Sequence, residues 1–224
     1  MFWDSTFLLL IPVLIFAMYA QNKVRSTYAK YLRVPAERGL TGAQAARQLL
    51  DAAGLSSVPI EVTGGTLSDH YDPRKRILRL SEGNHGGRSV AALGVACHEA
   101  GHAIQHAHAY GPLAVRQLIW PVAGFGSWAA WPLFFLGFLL HHPLLMDIGI
   151  LVFLVASFFA IVTLPVEFDA SNRAIKLLAR HGIVTQGELG GAKAVLNAAA
   201  LTYVAGALMA VVQLARMLIL RGRR

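Results

Sequence analysis

Four long apolar tracts constrain this chain more than any other feature. They cover residues 2–20, 117–140, 144–166 and 198–220. Each is close to or above the roughly 20 helical residues that cross a hydrocarbon core of about 30 Å. Lipid offers the backbone no hydrogen-bond partners, so each tract is expected as a helix that satisfies its own peptide groups. Composition points the same way: 55% of the 224 residues are hydrophobic and 14% are charged, against about 25% charged in soluble domains. A disordered chain and an ordinary cytosolic globule are thereby excluded. The single cysteine, Cys97, excludes an internal disulfide framework and a cysteine-rich zinc site.

The first tract contains Pro12 and starts Met1-Phe2-Trp3-Asp4, without lysine or arginine, and no A-x-A site follows it. It reads as an uncleaved anchor. Pro121, Gly124, Gly126 and Pro132 predict a kinked or closely packed second span. Only His141-His142-Pro143 separates the second span from the third, so these two form a tight helical hairpin. Asp147 falls near its tip, where it stays wet, and is assigned no function. The expected layout is an anchor over 1–20, a catalytic region over 21–116, the hairpin over 117–166, a polar segment over 167–197, and a last membrane helix with a basic tail over 198–224.

Within 21–116, Thr41 is a helix N-cap and Gly54 a stop after Ala53. Residues 58–62 and 77–80 carry strand patterns. Gly83, Gly86 and Gly87 predict a loop before a long helix over 88–108. The segment 167–197 reads as helical.

The net charge of +8 could indicate nucleic acid, but the basic residues flank spans and show no interleaved aromatics, so no nucleic-acid partner is expected. Sixteen of the twenty lysines and arginines lie in 21–116 and 167–197. The positive-inside rule places both segments in the cytoplasm, with the N-terminus and the histidine hairpin outside. Arg221-Gly222-Arg223-Arg224 opposes this, since a fourth complete span carries that tail outside. Either the majority of charges prevails or the last tract lies against the catalytic region; four spans are the expectation.

The chemistry sits in Ala96-Cys97-His98-Glu99-Ala100-Gly101-His102-Ala103, an H-E-x-x-H sequence on a predicted helix. Residues four apart differ by about 40° in azimuth and about 6 Å in rise. His98 and His102 can therefore close on one metal ion from one face, with Glu99 beside the metal as general base. Zinc in such a site lowers the pKa of bound water toward 7. Flanking small residues allow close packing, which a coincidental surface helix does not need. Cys97 reads as a small buried residue beside the site.

A catalytic zinc needs a third protein ligand and an open position. His108 matches the end of the longer H-E-x-x-H-x-x-G-x-x-H pattern, but Gln105 stands at its glycine, so nothing swings His108 back. On a continuous helix His108 lies about 240° from His102, and His106 lies about 6 Å further along. The better candidate follows the hairpin, in Leu164-Pro165-Val166-Glu167-Phe168-Asp169-Ala170-Ser171. Acidic groups at a membrane exit are costly without a partner. Glu167 is the candidate ligand and Asp169 the runner-up, although an acidic first turn or an Asp169–Arg173 i,i+4 pair also accounts for them.

On these motifs, with Leu67-Ser68-Asp69-His70-Tyr71-Asp72-Pro73 and the anchor, the chain resembles the YugP-type membrane zinc metallopeptidases, a neutral zinc metallopeptidase family, over nearly its whole length. The layout is also similar to HtpX-type membrane proteases and the CAAX prenyl endopeptidases. There a two-span hairpin separates H-E-x-x-H from a glutamate in an E-x-x-x-D motif. That pattern falls on Glu167 and departs at Ser171, where those groups have aspartate. The bond orienting a ligand histidine then passes to Ser171, Asn172 or Asp169. His70-Tyr71-Asp72-Pro73 and residues 77–80 precede the long helix as an edge strand does in zincins, so His70 and Tyr71 are candidates to touch substrate. A structured turn is the competing reading. Tyr203 is a candidate oxyanion donor, against an ordinary interfacial tyrosine.

The expectation is therefore a mainly α membrane protein of about four transmembrane helices with a zincin-like region of helices and a small β-sheet. It would be a Zn2+-dependent endopeptidase in a bacterial inner membrane, acting on peptide or protein substrates, membrane proteins among them, on the cytoplasmic side. The alternative is a non-proteolytic membrane metal-binding or scaffold protein using the same site. Glu99 argues against it, since a structural zinc needs no base and has four protein ligands. Single cysteines introduced at the Arg74 and His142 positions should label from opposite sides of the membrane; labelling of both from outside would refute the orientation.

Overall fold

The computed structural model describes residues 5–222. The first residues of the opening tract and the last two arginines of the basic tail lie outside that range. After a 3-10 turn at Ser5–Leu9, the chain forms α1 (Leu10–Leu32), α2 (Gly42–Ala52), β1 (Ile60–Thr63), β2 (His70–Asp72), β3 (Ile77–Ser81), α3 (Glu82–His85), α4 (Val90–Ala107), α5 (Gly111–Leu139), α6 (Pro143–Arg180) and α7 (Gln186–Gly222). The helices starting the chain, α5, α6 and α7 are each long and apolar enough to cross a membrane. With its small sheet, this is the expected mainly α membrane class.

Two units make up the chain. One consists of Met1–Gln21, Gly111–Pro165 and Leu201–Arg224, the other of Asn22–Tyr110 and Val166–Ala200. In the first, Gly137 and Gly149 bring α5 and α6 to backbone contact. A Cβ on Gly137 would lie 2.6 Å from the Met146 nitrogen, and one on Gly149 would lie 2.9 Å from the Ala130 carbonyl oxygen. Small residues are what lets helices approach where lipid gives no hydrophobic drive. Phe134, Met146 and Met217 fill the remaining space. Helix α5 runs unbroken through Pro121 and Pro132, and at Gly126 it packs closely on α6, where a Cβ would lie 3.0 Å from the Val152 carbonyl oxygen. His141 turns the hairpin at φ +53°, and Pro143 opens α6 where a missing N–H costs nothing. Asp147 is not idle: Arg221 donates to both of its carboxylate oxygens, at 2.7 and 3.2 Å.

Helix α1 runs on past its apolar tract to Leu32, and two later helices also outrun theirs, because hydropathy marks the lipid-facing length and not the helix ends. Helix α6 continues to Arg180, and α7 already starts at Gln186. Between them Gly182 sits at φ +56°, and the Thr185 N–H donates to Glu188 Oε2 at 2.7 Å, half of a capping box.

In the second unit α4 is the central element. Ser89 caps it by accepting from the Ala92 N–H. Its residues from Val90 to Gln105 are nearly all buried, the mark of an interior helix. Around it pack Leu49 and Leu50 of α2, Leu78 and Leu80 of β3, and Ala174 and Leu178 of α6. Helix α2 starts at Thr41 with a complete capping box to Gln44.

The sheet order is β1-β3-β2, with β1 parallel and β2 antiparallel to β3. This corrects one expectation: residues 77–80 form the central strand, and the edges are His70–Asp72 and Ile60–Thr63. Asp72 accepts from the Arg74 and Lys75 N–H groups at 2.9 and 3.1 Å, which turns β2 into β3. The Lys75 bond is the main cause holding the Asp72 carboxyl below its ordinary range. The glycine loop is also corrected, because Glu82–His85 makes a short helix. Asp69 fixes it, accepting from the Ser81 N–H and from Asn84 Nδ2, both at 2.8 Å.

Gly101, inside the histidine motif, is where α4 meets α6: a Cβ there would lie 2.7 Å from the Ala170 carbonyl oxygen. Gly190 in α7 has open space around it. Gly101→Ala should therefore cost about 1–3 kcal/mol through overpacking, whereas Gly190→Ala should be neutral or gain up to about 1 kcal/mol of helix propensity. Denaturation midpoints of the two variants beside wild type check the contrast.

Candidate metal centre

Helix α4 supplies His98 and His102 one turn apart. Their rings meet edge to face, with centroids 4.7 Å apart and planes at 82°, so their ring edges converge. Helix α6 supplies Glu167, buried at 3% exposure. Glu167 Oε2 lies 3.3 Å from His98 Nε2 and 3.6 Å from His102 Nε2. The three donor atoms all fall within 4.8 Å of one another.

That spacing tests the fit of a metal. Ligands about 2.1 Å from a tetrahedral zinc stand about 3.4 Å apart, close to the two separations found. Two imidazole nitrogens and one carboxylate oxygen are also a donor set that suits zinc. Electrostatics agree. Burial lowers the His102 pKa, but the Glu167 carboxylate, through hydrogen bonding and charge, outweighs it, and Glu99 adds to the pull, so the net direction is up. A site that draws a proton in this way draws a cation for the same reason. Glu99 is buried, at 8% exposure.

The ring nitrogens facing away from Glu167 have their own partners. Ser171 Oγ lies 3.1 Å from His98 Nδ1. Gln105 Oε1 lies 3.0 Å from His102 Nδ1. Of the three residues considered for the aspartate of the E-x-x-x-D pattern, Ser171 is the one beside His98, while Asn172 is exposed. Gln105 escaped the sequence reading, where it counted only as the residue displacing a glycine. The signal was its i,i+3 spacing from His102, which puts both on one helix face.

Most of the remaining candidates have partners of their own. Asp169 is engaged elsewhere, ion-paired with Arg173 and accepting from Gln105 Nε2 at 2.8 Å. His108 is exposed and accepts from Arg173 Nη1 at 3.4 Å. The Tyr71 hydroxyl is hydrogen-bonded to His106 Nδ1 at 3.0 Å. Burial raises the Tyr71 pKa and lowers that of His106, so both stay neutral in that bond. His70 is exposed, its Nδ1 2.8 Å from the Ser68 carbonyl oxygen. Tyr203 belongs to α7 in the membrane-helix unit. Cys97 is fully buried, and burial pushes its thiol pKa well up.

Long apolar helices together with a buried His–His–Glu donor set define a membrane protein with a candidate zinc centre. Comparison with known proteins carries this further. A family model described as "Putative neutral zinc metallopeptidase" matches residues 6–222, and the chain belongs to that family. It is 49% identical over 218 residues to a Bacillus subtilis (strain 168) protein called "Putative membrane protease YugP", covering 96% of each chain. The YugP-type resemblance read from the motifs is thus borne out. No solved structure matches the chain.

If Glu167 completes the donor set, Glu167→Ala should lose most bound zinc, whereas Asp169→Ala should retain it. Metal analysis of the two purified variants beside wild type separates these carboxylates; the reverse pattern would make Asp169 the ligand.

Proposed function

We propose that this protein is a membrane-embedded, zinc-dependent endopeptidase that hydrolyses peptide bonds of peptide or protein substrates at the cytoplasmic face of the membrane. The observation that carries the proposal is the convergence of His98 Nε2, His102 Nε2 and Glu167 Oε2 in a member of a neutral zinc metallopeptidase family. The name of the Bacillus subtilis relative supports the protease reading, and the excess of lysine and arginine in 21–116 and 167–197 supports the cytoplasmic side.

His98, His102 and Glu167 would hold the metal, leaving the rest of its coordination open. When bound, zinc supplies a Lewis acid that polarises the scissile carbonyl and makes water acidic enough to react near neutral pH. Glu99 takes a proton from the attacking water and delivers it to the leaving amine, so the peptide nitrogen departs neutral. Its burial suits that role, because it keeps the transferred proton from bulk water. Ser171 and Gln105 hold the two imidazoles in place from behind.

Glu99→Gln separates catalysis from metal binding. Purified in zinc-containing buffer, wild type and Glu99→Gln should each carry about one zinc per chain. Peptide hydrolysis should fall by at least about 100-fold in the variant. Zinc in both with cleavage in neither would favour a metal-binding or scaffold role, and a wild type without zinc would sink the metallopeptidase reading.

A further inference from the structure

We infer that Gln105 is a positioning residue that fixes the proton of His102 on Nδ1 and so commits its Nε2 lone pair to the metal position. The inference rests on the metallopeptidase reading and assigns a function to a residue outside the H-E-x-x-H motif.

The orientation of the Gln105 side-chain amide is forced by its surroundings. Gln105 is completely buried. Its nitrogen, Nε2, lies 2.8 Å from the Val166 carbonyl oxygen and 2.8 Å from Asp169 Oδ2. A carbonyl oxygen only accepts hydrogen bonds, and Asp169 Oδ2 is already an acceptor, paired with Arg173 Nε. The amide group facing them must therefore be the NH2, and both of its hydrogens are used. Flipping the amide would set an oxygen against two oxygens in a site without solvent, at the full cost of buried unpaired groups.

The other end of the amide is then an acceptor. Gln105 Oε1 faces His102 Nδ1 at 3.0 Å, and an oxygen without hydrogen can only receive, so Nδ1 carries the proton. A neutral imidazole has one N–H and one lone pair. The His102 lone pair consequently sits on Nε2, which faces Glu167 Oε2 at 3.6 Å. Two acceptors pointed at each other in a buried site need a positive charge between them. The chain Arg173–Asp169–Gln105–His102 thus sets the polarity of the site from the ion pair inward.

His98 lacks such a determinant. Its Nδ1 meets Ser171 Oγ at 3.1 Å, and a hydroxyl can donate or accept. Ser171 therefore permits either tautomer, while Gln105 permits one. His102 becomes the preset ligand and His98 the adaptable one.

The test is zinc affinity of the full-length protein, measured by competition with a chromogenic chelator. Partners of this kind typically set metal affinity by 10–100-fold. Gln105→Met, similar in length but without a lone-pair oxygen for Nδ1–H, should weaken zinc by at least about 10-fold. The double variant Gln105→Glu with Asp169→Asn exchanges amide and carboxylate across one hydrogen bond: it restores an acceptor for His102 and keeps a donor between the two side chains. The exchange also sets an oxygen against the Val166 carbonyl, so it should recover only part of the affinity that Gln105→Met loses. Ser171→Ala should lose less than Gln105→Met.

Wild-type affinity in Gln105→Met would overturn the assignment. So would an equal loss in Gln105→Met and the double variant, because Gln105 would then serve only to clamp α4 to α6. If Gln105→Met does not fold, the double variant decides alone: zinc affinity within about 10-fold of wild type upholds the assignment, and a larger loss overturns it. A wild type that takes up no zinc would sink the metallopeptidase reading as well, whereas an indifferent Gln105→Met beside a zinc-binding wild type would sink this inference only.

Discussion

The buried carboxylate of Glu167 is the constraint around which the second unit is arranged. An ionised side chain at 3% exposure has given up its water, and an unpartnered charge in such a place costs at least several kcal/mol. His98 and His102 are its partners across the α4–α6 contact. For those partners to reach it, two helix backbones must come within touching distance, and they do so where Gly101 faces Ala170. The glycine inside H-E-x-x-H is therefore as much a part of the site as the histidines. Without it α6 stands off, and the carboxylate loses the imidazoles that justify its burial.

That same closeness dictates the composition of α4. A helix buried on nearly all sides can carry few polar groups, and each must be matched. Helix α4 meets this with alanine and glycine on the faces that pack, and with polar groups confined to a cluster around His98, Glu99, His102 and Gln105. The small residues that let the backbones approach also leave room for a chain of hydrogen bonds from Arg173 through Asp169 and Gln105 to His102. In the membrane-helix unit glycines serve a related purpose for another reason. There Gly137 and Gly149 allow α5 and α6 to gain dispersion contacts that lipid would otherwise supply equally well.

The polar network behind the donor atoms is asymmetric. One imidazole is backed by a hydroxyl, the other by a buried amide tied to an ion pair. A hydroxyl, that of Ser171, and not a carboxylate stands behind His98. Here the acidic contribution reaches the other histidine instead, through Asp169 and the Gln105 amide. Charge is still delivered behind the site, but by a route that spans two helices.

Much of this protein was legible from residues alone, because the signals were local. Apolar length requires helices in lipid, and it identified all four long helices. The i,i+4 spacing of His98 and His102 requires one helix face. Thr41 with Gln44 is a capping box whose bonds lie within four residues. Other features depended on which segments meet. The sheet order, with residues 77–80 central, follows from pairing across loops and not from alternation. Helices α6 and α7 extend beyond their apolar tracts because the end of α6 and the start of α7 bury a face against protein. Glu167 and Asp169 were two carboxylates at nearly the same place in the sequence. Only the approach of α4 to α6 turned one toward the imidazoles and the other toward Gln105 and Arg173. Gln105 carried no motif of its own, since the acceptors that orient its amide, the Val166 carbonyl and Asp169, lie about sixty residues away. Periodicity and spacing record what a residue does to its own helix; the partner that gives a buried polar group its meaning comes from a different one.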